Sequence, residues 1–213
     1  MGRPRTAAGR ARETNRRLTL EYPDAHCELE HRNPFELLTA TILSAQTTDV
    51  RVNQVTPALF DRFATPEALA GADPAEVERL VRSTGFYKNK TRSILGMADA
   101  LVDRFHGEVP SSMSALTSLP GVGRKTANVV RSVALGLPGL PVDTHVGRLS
   151  RLLGLTVETD PVKVEHELGA MIPAGERGQF SLRLILHGRR VCVARRPRCD
   201  DCVLNDFCPS AKV

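Results

Sequence analysis

The chain has 213 residues, and although 41% are hydrophobic only 4% are aromatic, so its core must be mainly aliphatic. A formal net charge of +5 favours an anionic partner without identifying it. No apolar run approaches the roughly 18 residues of a membrane-spanning helix, and no signal-peptide core lies near the start, so we expect a cytoplasmic protein.

The first residues are rich in arginine. Residues 3–17 contain six arginines and a single acid, Glu13. The stretch could be a targeting presequence, a flexible tail that contacts the anionic partner, or the start of a first helix. We favour the last two interpretations.

Proline residues mark several helix starts, because each follows a side chain that can cap a helix. These pairs are Asn33–Pro34, Thr65–Pro66, Asp73–Pro74 and Asp160–Pro161. Glu36 and Glu76 lie three residues after Asn33 and Asp73, which resembles a capping box in each case. The pattern predicts helices that begin at the prolines.

Glycines and apolar spacing complete the helical pattern. Gly85, Gly107 and Gly136 are typical of helix ends. Between these marks the apolar residues follow the helical period, and no clear alternating strand occurs. The sequence predicts an all-α fold of about ten helices, with the loop 136–141 as the internal boundary between two domains and a cleft between them.

The segment from Leu119 to Ala127, Leu-Pro-Gly-Val-Gly-Arg-Lys-Thr-Ala, joins two predicted helices over about 112–118 and 124–135. Gly121 and Gly123 permit a tight turn and the close approach of another backbone. The turn exposes the N–H groups and the positive dipole end of the second helix, which suit a phosphate. Such a contact would hold a nucleic-acid backbone without reading its sequence. An ordinary helix–turn–helix corner is the alternative, but the complete string is far more specific than Gly-x-Gly.

Lys125 falls in the first turn of that second helix, in a chain where only five of the 29 basic residues are lysines. The helix dipole, neighbouring Arg124 and partial burial would all disfavour the charged form of its amine. A neutral amine can attack an electrophilic sugar carbon and form a Schiff base, which an arginine cannot do. A simple phosphate contact is the alternative, and position alone does not decide between the two.

Asp143, in Val142-Asp143-Thr144-His145, is the predicted N-cap of a helix over about 144–154. A carboxylate held there could also face Lys125, stabilise a cationic transition state on a sugar and move protons. Lys125 and Asp143 are therefore the candidate catalytic pair. His145 is better explained as a packed histidine within a helix.

Four of the five cysteines lie close together near the C-terminus, at Cys192, Cys199, Cys202 and Cys208. Four thiolates can hold a tetrahedral zinc or an iron–sulfur cube. Zinc sites usually combine two short cysteine knuckles, whereas only one CxxC occurs here, so the spacing favours iron–sulfur. Arg195 and Arg196, between the first two cysteines, form a basic edge suited to phosphates, with a solvated basic loop as the alternative.

Together, the hairpin string, the Val-Asp-Thr-His motif and the cysteine spacing resemble endonuclease III, a family of the helix-hairpin-helix DNA glycosylase superfamily. The resemblance runs from Asn33-Pro34-Phe35-Glu36-Leu37-Leu38 to Cys208. It implies a six-helix barrel domain over 27–137, with the helix-hairpin-helix at about 112–135. It also implies an iron–sulfur cluster domain formed by 1–26 and 138–213. We expect a monomer that acts on damaged double-stranded DNA.

The resemblance further implies a bifunctional DNA glycosylase and AP lyase of base excision repair. Oxidised or ring-saturated pyrimidines would be flipped into the cleft. Lys125 would attack the sugar C1′, the base would leave, and β-elimination would cut the strand on the 3′ side. Lys125 and Asp143 match the catalytic residues, and the four cysteines match the ligands of a [4Fe–4S] cluster.

Two further positions match residues that enter the DNA. Gln46, in Ser44-Ala45-Gln46-Thr47-Thr48-Asp49, matches the residue that fills the hole left by the flipped base. Phe86, in Gly85-Phe86-Tyr87, matches a wedge position that is leucine in familiar members. This departure bears on the preference for the opposite base and not on the chemistry. Inward packing of Phe86 against Tyr87 and the following helix is the alternative.

Three rival functions use some of the same features. A mismatch adenine glycosylase places a glutamate where this chain has Thr41, usually lacks the lysine and carries an extra C-terminal domain, whereas this sequence ends five residues after Cys208. A non-catalytic helix-hairpin-helix DNA-binding module has no use for Lys125 facing Asp143. A zinc-stabilised scaffold protein would be colourless when purified.

Overall fold

A computed structural model describes residues 3–212, which form eleven α-helices and two 3₁₀ helices without a β-strand. The predicted all-α fold is confirmed. The chain divides into two compact units: one takes the chain up to His26 and from Pro138 onward, and the other is Cys27–Leu137. Within the described residues, every helix is too short or too polar to cross a bilayer.

The Cys27–Leu137 unit contains seven of the α-helices. They are α2 (Pro34–Leu43), α3 (Asp49–Arg62), α4 (Pro66–Ala70), α5 (Pro74–Val81), α6 (Tyr87–Phe105), α7 (Met113–Thr117) and α8 (Arg124–Val133), with a 3₁₀ turn at Arg82–Thr84. Helix α2 is buried at every position after its proline, as expected of a helix that is apolar on all sides. The aliphatic side chains of Leu37, Leu59, Ile94 and Leu101 lie at the centre of this core.

The second unit contains α1 (Ala7–Glu21), α9 (Thr144–Leu152), α10 (Pro161–Met171) and α11 (Arg177–Arg190), with a 3₁₀ turn at Ala174–Glu176. Its core is again mainly aliphatic and includes Leu18, Val146, Leu168 and the ring of Phe180. The segment after α11 is irregular and carries the four clustered cysteines.

The predicted helix starts are confirmed. Asn33, Thr65, Asp73 and Asp160 are N-caps whose side chains accept a hydrogen bond from a backbone N–H in the first turn, with proline at the first helical position. The second hydrogen bond of each predicted capping box, from the backbone N–H of the cap residue to the glutamate, is wrong. Glu36 accepts from the backbone N–H of Arg32 and pairs with its guanidinium at 2.7 Å, and Glu76 pairs with Arg62 at 2.9 Å. In both cases the glutamate pairs with an arginine and not with the backbone N–H of the cap residue.

The glycine-marked ends are also confirmed, since Gly85, Gly107 and Gly136 all have positive φ, at 69°, 80° and 62°. Helix α8 ends at Val133, two residues before the predicted end. There the N–H of Leu135 reaches back to the carbonyl of Val130 at 3.1 Å and closes the helix ahead of Gly136.

The arginine-rich start is largely helical, which confirms one of the two favoured interpretations. Helix α1 begins after Thr6, whose side chain accepts from the N–H of Gly9. Arg17 donates two hydrogen bonds to Asp206, at 2.6 and 3.1 Å, and so ties α1 to the cysteine-bearing segment. Arg16 and Arg17 also hold the pKa of Glu13 down to about 2, because both donate to its carboxylate. These arginines therefore stabilise their own unit.

Candidate functional site

The hairpin between α7 and α8 is fixed by its apolar residues and by one glycine. Leu119 and Val122 are buried on either side of the turn. Gly121 has a φ of 75°, and a Cβ atom there would lie 2.6 Å from the Cβ of Ser93. The turn therefore needs glycine at 121 for both its backbone conformation and its packing.

Helix α8 begins without a side-chain cap. Its N-cap is Gly123, and a Cβ atom added there would meet nothing within 4 Å. The first turn contains no acid, but it does contain Arg124 and Lys125. Cations at the positive end of a helix are unfavourable by themselves, and an anion bound beside the N–H groups would reverse that cost. The start of α8 thus has the chemistry of a phosphate site.

The Lys125 side chain is exposed, so the expected partial burial is wrong. The physical reason is the orientation of α8, which buries Ala127, Asn128 and Val130 and turns position 125 away from that face. The exposed amine is accessible to a substrate as large as a DNA strand.

Asp143 is the N-cap of α9, as predicted. Its Oδ1 accepts a hydrogen bond from the N–H of Val146 at 2.8 Å, and the residue is half-buried. Oδ2 takes no part in this cap, so the carboxylate is held by one oxygen. Lys125 lies in the Cys27–Leu137 unit and Asp143 in the other. His145 packs closely over Gly188, whose added Cβ would lie 2.8 Å from the imidazole Nδ1.

Gln46 and Phe86 share an unusual backbone conformation. Both have left-handed φ values, 55° and 46°, which non-glycine residues rarely adopt unless the surrounding structure imposes them. Both side chains are exposed, and Phe86 is 67% exposed, so its inward packing against Tyr87 is wrong. Phe86 is the N-cap of α6, which places its exposed ring at the start of that helix.

The segments around Gln46 and Phe86 meet inside the Cys27–Leu137 unit. The hydroxyl of Thr47, directly after Gln46, donates to the carbonyl of Thr84, two residues before Phe86. The ammonium of Lys90 donates to both of these oxygens, each at 2.8 Å. Lys90 and Thr47 could not be identified from the sequence, since no motif separates a buried lysine from an exposed one.

The four clustered cysteines line one cavity of about 270 Å³ in the second unit. Burial raises the pKa of the Cys202 thiol to about 11, so a bound cationic group is needed to hold it as a thiolate. A tetrahedral zinc would need its sulfurs within about 3.8 Å of one another. Among the described residues no three potential ligands converge closely enough for one ion. Four thiols around a cavity form a donor set that fits an iron–sulfur cluster.

Two of these sulfurs form hydrogen bonds with side chains that no sequence motif marks. The Nε2 of His187 lies 3.3 Å from the Sγ of Cys202, and the hydroxyl of Tyr22 lies 3.1 Å from the other ring nitrogen, Nδ1. The guanidinium of Arg148 donates to the Sγ of Cys192 at 3.7 Å. Burial lowers the pKa of His187 to about 4, which leaves a neutral imidazole beside the sulfur. Only the closeness of His187 to Cys192 in the sequence hinted at such a contact.

Arg195 and Arg196 are exposed in the loop between Cys192 and Cys199. Arg198, in the same loop, instead donates to the carbonyl of Arg190 and fixes the loop to the end of α11. In this loop Arg198 therefore has a structural role, whereas Arg195 and Arg196 face solvent. Those two are available to phosphates.

Family models match most of the chain. Residues 39–174 match the HhH-GPD superfamily of base excision DNA repair proteins. Residues 192–208 match the iron–sulfur binding domain of endonuclease III. The second match begins and ends on the cysteines that line the cavity, and the cofactor of this protein is a [4Fe–4S] cluster.

Curated relatives and solved structures agree with these matches. The chain is 53% identical to endonuclease III of Synechocystis over 90% of its length and 88% of the relative. It is 40% identical to that of Escherichia coli K12 over 90% and 91%. A solved non-covalent endonuclease III–DNA complex is 43% identical, covers 97% of both chains and has a TM-score of 0.91. A trapped endonuclease III–DNA covalent intermediate is 44% identical, covers 97% and 98%, and also has a TM-score of 0.91. The chain therefore belongs to the endonuclease III family of the HhH-GPD superfamily.

Proposed function

We propose that this protein removes oxidised or ring-saturated pyrimidines from double-stranded DNA and then cuts the strand on the 3′ side of the abasic site. Family membership supports base excision, and relatives with the same fold have been solved bound to DNA and trapped covalently on it. One observation carries the proposal for this chain. The exposed amine of Lys125 stands in the uncapped first turn of a helix suited to phosphate.

The chemistry begins with nucleophilic attack on the sugar. The Nζ of Lys125, after losing a proton, bonds to C1′ while the glycosidic bond breaks and its electron pair leaves with the base, which takes up a proton. Nitrogen then loses a second proton, the C1′–O4′ bond breaks as the nitrogen lone pair forms the C=N bond, and O4′ takes up a proton, which gives an iminium ion. Removal of a proton from C2′ then expels the 3′ phosphate by β-elimination, and water releases the sugar fragment from Lys125.

Asp143 is proposed to serve these steps as a carboxylate. It would stabilise the positive charge that develops on the sugar and relay protons between the amine and the departing groups. The cap hydrogen bond from Val146 to Oδ1 supports this role, because it orients the carboxylate without neutralising it.

Other residues are proposed to hold and open the DNA. Gly121 and Gly123 would let a phosphate reach the start of α8, and Arg195 and Arg196 would bind phosphates at the cluster loop. Gln46 would fill the space left by the flipped base and pair with the orphaned base through its amide. Phe86 would stack beside that base, for which its exposure and fixed backbone are suited.

Cys192, Cys199, Cys202 and Cys208 are proposed to hold the cluster. Its contribution is to fold an irregular segment that has little apolar core of its own, and thereby to shape the loop with Arg195 and Arg196. The protein is proposed to act as a monomer in the cytoplasm, on the DNA of the nucleoid.

The proposal is tested by trapping the Schiff base with borohydride on a duplex that contains a 5,6-dihydrothymine. Wild type should become covalently attached, and K125Q should lose both attachment and nicking while still binding the duplex. K163Q is the matched control, since Lys163 is another exposed lysine in a first helical turn. Undiminished trapping by K125Q would refute the assignment of Lys125.

A further inference from the structure

A buried ammonium joins the two segments that carry Gln46 and Phe86. Lys90 is only 5% exposed, and its Nζ donates to the hydroxyl of Thr47 and to the carbonyl of Thr84, both at 2.8 Å. The Thr47 hydroxyl donates to the same carbonyl. Three groups from three separate elements therefore converge on one point.

The same lysine is also bonded to Phe86 through its backbone. The N–H of Lys90 donates to the carbonyl of Phe86 at 3.1 Å in the first turn of α6. Thr47 follows Gln46 directly, so one residue is tied by its main chain to Phe86 and by its side chain to the neighbour of Gln46. A shift of either segment relative to the other would break at least one of these bonds.

The arrangement is costly for the fold. Burial lowers the pKa of Lys90, and the two acceptors of its ammonium are a hydroxyl and a carbonyl, not a carboxylate. A buried charge paired only with neutral oxygens recovers little of its lost hydration. An apolar side chain of similar length would fill the space at a lower cost. Both Gln46 and Phe86 also hold left-handed backbone that must be imposed by their surroundings.

We propose that Lys90 is a positioning residue that fixes the Gln46 and Phe86 segments at one separation before DNA is bound, so that both side chains enter the duplex as a unit. The proposal rests on the proposed roles of Gln46 and Phe86. Preorganisation of this kind reduces the ordering needed when the base is extruded. Exposed Phe86 then needs no contact with Gln46 to act together with it.

The test is a set of double-mutant cycles on a duplex that carries 5,6-dihydrothymine beside a fluorescent 2-aminopurine in the same strand. Base extrusion is followed by the fluorescence change, and base release is followed separately in single-turnover conditions. In the wild-type background, Q46A and F86A should be strongly non-additive in their effect on extrusion, because they act as one unit. In K90M, and to a smaller extent in T47V, the two effects should become additive.

K90M alone should slow extrusion about tenfold, the size of effect produced by coupling within one hydrogen-bond network. K88M is the matched control, because Lys88 is exposed on the same helix and the variant loses the same charge. It should change affinity for duplex and single strand by equal factors. T47V leaves the ammonium in place and removes only the hydroxyl that accepts from Lys90 and donates to the Thr84 carbonyl, so it keeps the test valid if K90M folds poorly.

Each outcome decides a different point. Coupling between Q46A and F86A that persists in both K90M and T47V overturns the role of Lys90. Additive effects in the wild-type background also overturn it, because the two side chains then do not act as a unit. A wild-type protein that extrudes the base but releases none would instead refute the proposed glycosylase function and leave the positioning role standing.

Discussion

The Cβ of Ser93 occupies the position that a side chain at Gly121 would need, since an added Cβ would lie 2.6 Å away. Helix α6 therefore packs closely against the hairpin at Gly121. G121A should lower the free energy of unfolding by about 2 kcal/mol, because it adds left-handed strain to the steric overlap. Urea denaturation measures this loss, and S93G should restore part of it.

Gly123 provides the comparison, because its φ is −89° and nothing lies near an added Cβ. G123A should cost less than about 1 kcal/mol of stability, the difference between glycine and alanine as an N-cap. Its effect should appear in duplex affinity. Equal losses of stability in G121A and G123A would contradict the packing explanation.

Asp143 combines a cap with a proposed chemical role, and asparagine separates the two. D143N should stay within about 0.5 kcal/mol of wild-type stability, because asparagine caps as well as aspartate. Base release should fall by roughly 10²–10⁴, the range for loss of a proton-transfer group. D160N is the control, since Asp160 caps α10 in the same manner. A D143N protein that releases base at the wild-type rate would leave Asp143 with the cap alone.

His187 is expected to influence the cluster through its hydrogen bond to Cys202. Hydrogen bonds to a ligand sulfur stabilise the more reduced cluster and raise its potential. H187L should therefore lower the reduction potential, and the visible absorbance should bleach faster in air. Y22F keeps the imidazole and removes only its outer partner, so its shift should be smaller. Voltammetry that gives one potential for all three proteins would exclude this influence.

Arg195 and Arg196 should contribute to the salt dependence of DNA binding. Replacing both with alanine should make the slope of log K against log salt shallower by about 1.8, or 0.9 for each lost phosphate contact. The paired control is R62A with R79A, which removes two exposed arginines from α3 and α5. The slope is measured by fluorescence anisotropy at several salt concentrations. An identical slope for both double variants would mean that the cluster loop is only solvated.

The buried ammonium of Lys90 should make stability depend on alkaline pH. Its pKa in the folded protein lies below the usual 10.5 because of burial. Between the lowered pKa and 10.5 the unfolded chain binds more protons than the folded chain, so the free energy of unfolding rises with pH. The free energy of unfolding of the wild type should therefore increase relative to that of K90M as the pH is raised toward 10.5. Parallel urea-denaturation profiles for the two proteins would contradict a depressed pKa.

Local chemistry explains which parts of the fold were predictable. A capping side chain followed by proline acts within one turn, so Asn33 and Asp160 marked their helices correctly. The exposure of Lys125 was not predictable in this way, because it depends on which face of α8 packs against α2 and α7. The cysteine spacing indicated the cofactor, but the contact from Tyr22 through His187 to Cys202 joins distant parts of the chain.

Lys90 illustrates the same limit within the segments that carry Gln46 and Phe86. Family resemblance located Gln46 and Phe86 because they belong to recognisable strings. Lys90 resembles any other lysine of α6 until its burial is known. Burial is a property of packed helices, and Thr47 and Lys90 lie 43 residues apart.

The uncapped start of α8 limits how far the stability of this protein can rise without loss of the proposed phosphate contact. Serine or aspartate at position 123 would cap the helix and add about 1 kcal/mol of stability. The same side chain would occupy the open space at Gly123 through which the proposed phosphate would approach, and aspartate would also repel it. Selection for thermal resistance alone would therefore favour closing this helix end. Under the proposed function, the weak helix start leaves the hairpin open to the phosphate of a DNA strand.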